Sequence, residues 1–268
     1  MAGLFDKQAE VYLNARPSYP AGWYSMLADQ TLCHSFAWDV GTGNGQAAIA
    51  LMVFAFDKAA EHYGKVIGTD VSEAQLRYAT PHPRVQYIQT PLSLSEDEIV
   101  SLIGGEDSVD LVTVAQAVHW FDLPKFYSIV TRVLRKPGGL FAVWGYKDIF
   151  VSPTFDPVMK RFRDTVLPYW NQNVKYIFDG YQSLPFPFQD VGLGCEGKPL
   201  QLKISQEISF EGFIGVLKSW SAVTTAKENG VDLLAEDMVR NFESAWGGSD
   251  LVRSVTYTAF MLAGKPLE

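Results

Sequence analysis

The sequence is poor in cysteine, in basic charge and in long apolar runs. Only two cysteines, Cys33 and Cys195, occur in 268 residues. They provide no disulfide framework and no metal-ligand spacing, so two free thiols in a reducing compartment are expected. Lys and Arg number 22 against 30 Asp and Glu, for a net charge of −8. A chain that follows a phosphate backbone needs a basic surface, so nucleic acid is disfavoured as a partner. No apolar run approaches the roughly 20 residues that span a bilayer. Met1 to Glu10 carries Asp6, Lys7 and Glu10 and has no apolar signal-peptide core. These absences predict a cytoplasmic protein with no membrane partner and no metal.

Apolar side chains, by contrast, are abundant at 47%, enough for a large core. Aromatics are concentrated: 13 of the chain's Phe, Tyr and Trp residues fall between 141 and 188. Any functional reading has to give that cluster a place.

Residues 36–146 alternate between strand and helix patterns. Phe36–Val40, Val66–Thr69, Val85–Gln89, Val109–Val114 and Leu140–Val143 read as five strands. Helices are expected over Gln46–Tyr63, over Glu73–Ala79 after a Ser72 cap, over Glu96–Ile103 after Ser95, and over Leu123–Leu134 with Pro124 in its first turn. Such βαβ alternation implies a parallel sheet covered on both faces. Beyond 146 the rhythm breaks at a run of prolines. Helical text follows near Phe210–Ala222 and Val231–Trp246, then a long strand over Leu251–Ala263. The expected organisation is a helical cover (1–35), an α/β core (36–146), a lid (147–250) and a final strand of the core sheet (251–268).

The sharpest motif is Asp39-Val40-Gly41-Thr42-Gly43-Asn44-Gly45, between a strand and a helix. Glycines there permit positive φ and a close backbone approach to a ligand. The spacing is G-x-G-x-G, not the G-x-G-x-x-G of dinucleotide sites. Asp39 would repel a pyrophosphate and suits a cationic group. Asp70, ending the second strand 25 residues beyond Gly45, can accept both hydroxyls of a ribose. A nucleoside with a cationic tail and no phosphate fits this pattern, and S-adenosylmethionine is such a molecule.

Residues 36–146 resemble the class I, Rossmann-like methyltransferases. Asp39–Gly45 matches their first motif, Asp70 their ribose-binding acid, and Val109–Asp122, with Ala-Gln-Ala-Val-His-Trp-Phe-Asp, their fourth. The trans-aconitate methyltransferase-like and embryo-abundant-protein-like branch is the nearest likeness, through Phe5-Asp6-Lys7-Gln8-Ala9, Tyr12, Arg16-Pro17, Tyr19-Pro20 and Trp220-Ser221-Ala222. The resemblance implies a doubly wound, mostly parallel seven-stranded sheet with an aromatic-rich lid inserted after strand five. It implies S-adenosylmethionine contacts from Asp39, Gly41, Thr42, Gly43 and Gly45, with Asp70 at the ribose and Val71 at the adenine. Gln116 and Ala117 would lie by the sulfonium, with Tyr12 and Arg16 closing over the cofactor. His119 is the candidate base, and Trp120, Tyr146 and Trp220 the candidate substrate wall. The acid that many relatives carry after strand three is replaced by Gln89-Thr90-Pro91-Leu92-Ser93.

Plainer alternatives stand beside these roles. Asp70 could be a helix cap, Arg16 a surface ion-pair partner, Tyr12 and Tyr19 packing residues, and His119 a structural histidine. The expected activity is methylation of a small molecule, at a carboxylate oxygen or at a phenol, amine or carbon. The rivals are a non-catalytic S-adenosylmethionine-binding protein and a nicotinamide-dependent oxidoreductase.

Overall fold

The computed structural model describes residues 16–52 and 63–267. Tyr12, and most of the helix expected over 46–63, lie outside them. Helix α1 (Ala21–Ala28) precedes strand β1 (Phe36–Val40), helix α2 (Gln46–Ala50), β2 (Lys65–Asp70), α3 (Glu73–Arg77) and β3 (Val85–Gln89). Then come α4 (Glu96–Ile103), β4 (Leu111–Ala115), α5 (Leu123–Val133) and β5 (Leu140–Phe150). The C-terminal part holds α6 (Asp156–Val166), α7 (Lys175–Phe178), β6 (Gln189–Asp190), β7 (Leu200–Ser209), α8 (Phe210–Lys218), α9 (Ser221–Glu228), α10 (Glu236–Trp246) and β8 (Val252–Lys265).

The strand order is β3-β2-β1-β4-β5-β8-β6, with β7 also paired to β8. β1 to β5 pair in parallel, β8 runs antiparallel to β5, and β6 and β7 each pair antiparallel to β8. The sheet is therefore mostly parallel, with eight strands in place of the seven expected. The extra one is the two-residue β6, which shares an edge of β8 with β7. The order reverses between β1 and β4, which opens a crevice at the carboxyl ends of those strands.

Local chemistry sets the element ends. Ser72 Oγ accepts from the Gln75 amide at the start of α3. Ser95 and Glu98 form a reciprocal capping box on α4. Asp122 caps α5, and Pro124 lies in that helix's first turn. Alternating side chains sort to opposite faces of the sheet. Ala37, Val66, Leu111, Ala142 and Trp144 pack beneath α1 and the aromatic helices α6, α8 and α10. Trp38, Ile67, Val112, Phe141 and Val143 pack against α4, α5 and the loop carrying Tyr181, Phe186 and Phe188.

Two elements differ from expectation for physical reasons. β5 continues seven residues past Val143, because β8 pairs with it as far as Phe150. Leu200–Ser209, within the segment expected as lid, is a sheet strand paired along β8 from Val252 to Met261. Its alternating exposure is that of a strand covered on one face.

Candidate active site

Two cavities meet at the crevice. The smaller, of about 200 Å³, lies over the carboxyl ends of β1, β2 and β4. The larger, of about 500 Å³, lies between β5 and the helices that follow it. Gln116 and Trp120 line both, so the wall between the cavities is formed by the turn after β4.

The glycine loop shapes the smaller cavity. Gly41 and Gly43 line it with φ of 67° and 56°. A Cβ on Gly41 would stand 2.7 Å from Ala117 Cβ, whereas one on Gly43 would meet nothing nearer than 3.7 Å. Gly43 thus leaves a space that a side chain would fill. Gly45 faces away from the cavity, its Cα pressed against the Tyr87 ring. Asp70 lies in the wall, and its two oxygens accept the Gly43 and Ser72 amides, each at 2.9 Å. The N-cap of α3 is Ser72, so the capping alternative for Asp70 does not hold.

Asp39 lies beneath the loop, fully buried and outside the lining of either cavity. It accepts from Thr42 Oγ1 at 2.6 Å and Thr113 Oγ1 at 2.8 Å. Burial pushes its pKa up to about 6, and the two hydroxyl bonds offset part of that rise. Asp39 and Thr42 act here as a tether between the loop and β4.

Gln116 has φ of 58°, a conformation that a residue with a Cβ rarely adopts. Its amide bonds both backbone groups of Tyr146, at 3.0 Å to the carbonyl and 2.8 Å from the N–H. That double bond extends the β4–β5 pairing past the end of β4 and holds the shared wall in place. His119, in the same turn, is buried and lines the larger cavity. Its Nδ1 has no hydrogen-bond partner among the described residues. Burial pushes its pKa down to about 3, so the ring is neutral and a weak proton acceptor near pH 7.

Arg16 lines the larger cavity and not the smaller. It donates to Tyr146 Oη and to the Ser219 carbonyl, each at 2.9 Å, spanning from β5 to the end of α8. Arg16, expected near the cofactor, lies in the wall of the larger cavity. Tyr146, Trp120 and Trp220, expected as the substrate wall, all line that chamber. Four cationic side chains, Arg16, Lys147, Lys160 and Arg163, share the lining with two carboxylates, Asp148 and Asp164. Asp148 pairs with Arg163, and Lys147 Nζ donates to the Phe178 carbonyl at 2.8 Å.

The likeness to known proteins agrees with this layout. Residues 38–143 match the methyltransferase domain family. A Dictyostelium discoideum protein named as a methyltransferase is 30% identical over 272 residues, spanning 97% of this chain and 94% of that one. This chain belongs to the methyltransferase family. A solved structure described as a type II methyltransferase from Anaeromyxobacter dehalogenans superposes with a TM-score of 0.76 at 33% identity. It covers 93% of this chain and 97% of that one. A Saccharomyces cerevisiae protein named as an S-adenosylmethionine-dependent methyltransferase is 30% identical over 152 residues, covering 54% of this chain and 46% of that protein.

This methyltransferase uses S-adenosylmethionine as its methyl donor. The residues present fit that molecule. The open space at Gly43 and the acceptor-only Asp70 suit its amino-acid and ribose parts, and the apolar Val71, Leu92 and Phe121 suit its adenine. Phe121 lines the smaller cavity, where the sequence allows it as core or pocket wall; Gln75, Thr90 and Leu92 carry no sequence assignment, although Thr90 and Leu92 stand where the expected acid is missing. The lining residues Lys147, Lys160, Arg163, Trp170 and Tyr257 were likewise unforeseen. Their one common signal was the aromatic and charged text after strand five. No group of three or more His, Cys, Asp or Glu able to hold a metal occurs among the described residues, and no helix among them is long and apolar enough to cross a membrane.

Proposed function

We propose that this methyltransferase acts on a small molecule and methylates a carboxylate oxygen. The observation that carries the reading is the lining of the larger cavity, where Arg16, Lys147, Lys160 and Arg163 outnumber Asp148 and Asp164, and where burial of His119 lowers its pKa and so disfavours it as a base. A phenol, an ammonium group or an acidic carbon must lose a proton to become nucleophilic, and a suitable base would have a pKa near 7. A carboxylate is already anionic at that pH. Four cations in the cavity favour an anionic guest in a protein whose own charge is −8.

In this reading Asp70 holds the ribose hydroxyls, Gly41 and Gly43 flank the methionine portion, and Val71 and Thr90 lie along the adenine. When bound, S-adenosylmethionine supplies an electrophilic methyl carbon on its sulfonium. The chain's task is then alignment and exclusion of water, for which fixed placement of two reactants supplies several kcal/mol, up to about 7–11 in ideal cases. Gln116 fixes the wall between the two chambers, and His119 offers one neutral hydrogen bond. The branch near the trans-aconitate and embryo-abundant-protein-like enzymes, a cytoplasmic location, and a lack of nucleic-acid or membrane partners belong to the same proposal. The acidic charge supports the lack of a nucleic-acid partner.

The test is the chemical form of the product. Methyl-labelled S-adenosylmethionine is incubated with the protein and an acid-enriched metabolite extract, followed by mild alkaline hydrolysis. Methyl esters release the label as methanol, the expected result. Label that survives hydrolysis as an ether, amine or carbon-bound methyl overturns the carboxylate reading.

A further inference from the structure

The larger cavity holds a feature that carboxylate chemistry does not require. All seven tryptophans fall within the described residues. Trp23, Trp38, Trp144 and Trp246 are buried, whereas Trp120, Trp170 and Trp220 are half-buried. Those three are the ones that line the larger cavity. They come from three separate places: the turn after β4, the segment after α6, and the junction of α8 with α9. Trp170 and Trp220 lie with ring centroids 5.6 Å apart, and Phe178 closes on Trp170 at 5.9 Å. An indole left open to a concave space of about 500 Å³ forgoes burial that its four counterparts obtain.

The charged groups are arranged differently. Lys160, Arg163, Asp164 and Leu167 share one face of α6 and its continuation, at i, i+3, i+4 and i+7, while Met159, Phe162 and Val166 turn into the core. Lys160 and Asp164 are exposed, so this face forms a polar rim around an aromatic interior. The volume is that of a drug-sized guest and exceeds the needs of a two- to four-carbon acid.

We infer that the acceptor carries a planar, aromatic or conjugated apolar body, seated against Trp120, Trp170 and Trp220. This rests on the proposed small-molecule carboxylate reading and adds the class of molecule to which the carboxylate is attached. A compact polyacid could meet the cations of the rim but would leave the three indoles wet.

The test compares matched probes with the full-length protein in saturating S-adenosylhomocysteine, by calorimetry, and in labelled S-adenosylmethionine, by methyl transfer. The probes are 2-naphthoate, 2-naphthol and 2-naphthylamine for the body, with acetate and succinate for the acid alone. Naphthoate is expected to bind at least tenfold tighter than succinate. Trp170→Ala and Trp220→Ala are each expected to weaken naphthoate about tenfold, with Trp170→Phe recovering most of the loss and S-adenosylhomocysteine affinity unchanged. Circular dichroism checks that each variant is folded. Tighter binding of succinate than of naphthoate, or naphthoate affinity that ignores both tryptophans, overturns the inference and leaves the carboxylate reading standing. Methylation of naphthol or naphthylamine but not naphthoate, with binding still dependent on Trp170 and Trp220, upholds the aromatic body and overturns the carboxylate reading instead.

Discussion

Asp39 and Asp70 stand at the ends of neighbouring strands, and their surroundings give them different work. Asp70 is at the cavity wall and orders the glycine loop through the Gly43 amide while facing the guest. Asp70→Ala removes a charged acceptor and the tether together, and each charged hydrogen bond contributes about 1.5–3 kcal/mol. S-adenosylhomocysteine affinity, measured by calorimetry, should fall by at least tenfold; unchanged affinity would refute the ribose role. Asp39 is sealed under the loop, with its pKa pushed up to about 6 by burial. A folded-state pKa above the unfolded value means that the folded chain binds the proton more tightly. The stabilisation is therefore full below the unfolded pKa and is lost as pH rises through about 6. Between about pH 5 and pH 7.5 the wild type should lose about 1–2 kcal/mol relative to Asp39→Asn, read from urea denaturation at each pH. A difference that stays constant over that range would mean that the carboxyl does not titrate there. His119→Asn keeps a neutral hydrogen-bonding group, so turnover of a carboxylate acceptor should fall by less than about tenfold and keep its pH profile. A larger loss, or a profile that loses an inflection near neutral pH, would restore His119 as a base.

At the level of elements, the decisive irregularity is in β5. The register with β8 shifts between Lys147 and Ile149, and Asp148 sits at that bulge with φ of 42°. The bulge turns Asp148 toward Arg163 of α6, joining the sheet to the helix that forms the cavity rim. Asp148→Ala should cost about 1–2 kcal/mol in chemical denaturation, because alanine is poorly tolerated at positive φ and the pair is lost. Asp148→Asn should cost less, since Asn adopts that backbone readily. Equal losses would locate the effect in the ion pair alone. Elements governed by local chemistry were legible in the sequence: the Ser72 and Ser95 caps, Pro124 in the first turn of α5, and the glycine loop. The β5 bulge was not, because nothing in Gly-Tyr-Lys-Asp-Ile distinguishes it from a turn until β8 pairs with it. β7 had a readable alternation, Leu-Gln-Leu-Lys-Ile, but lay in proline-rich text whose place in the sheet depends on a strand some 50 residues later. The site divided in the same way. Gly43 and Asp70 were legible because each closes a strand-to-helix turn with its own local signal, whereas the partners of Arg16, Tyr146 and Ser219, are 130 and 203 residues away and leave no such signal.

Across the whole molecule, ten of the 13 aromatics between 141 and 188 serve the core or the larger cavity. Phe141, Trp144, Phe155, Phe162, Tyr181, Phe186 and Phe188 are core residues, distributed over both faces of the sheet. Tyr146, Trp170 and Phe178 line the larger cavity. The cavity wall is thus built on a core of its own, which keeps three half-buried indoles in place without their being fully packed. β8 closes this assembly by pairing with β5, β6 and β7, and it contributes Tyr257 to the cavity. Two chambers then share one wall at Gln116 and Trp120, and that wall is where methyl donor and acceptor would have to meet. The most direct measurement is a crystal structure of the protein with S-adenosylhomocysteine. The prediction is ribose hydroxyls on Asp70 and the sulfur at the Gln116–Trp120 opening, facing the chamber of Arg16 and Tyr146. A sulfur directed away from that opening, or a ribose held by other groups, would contradict the account.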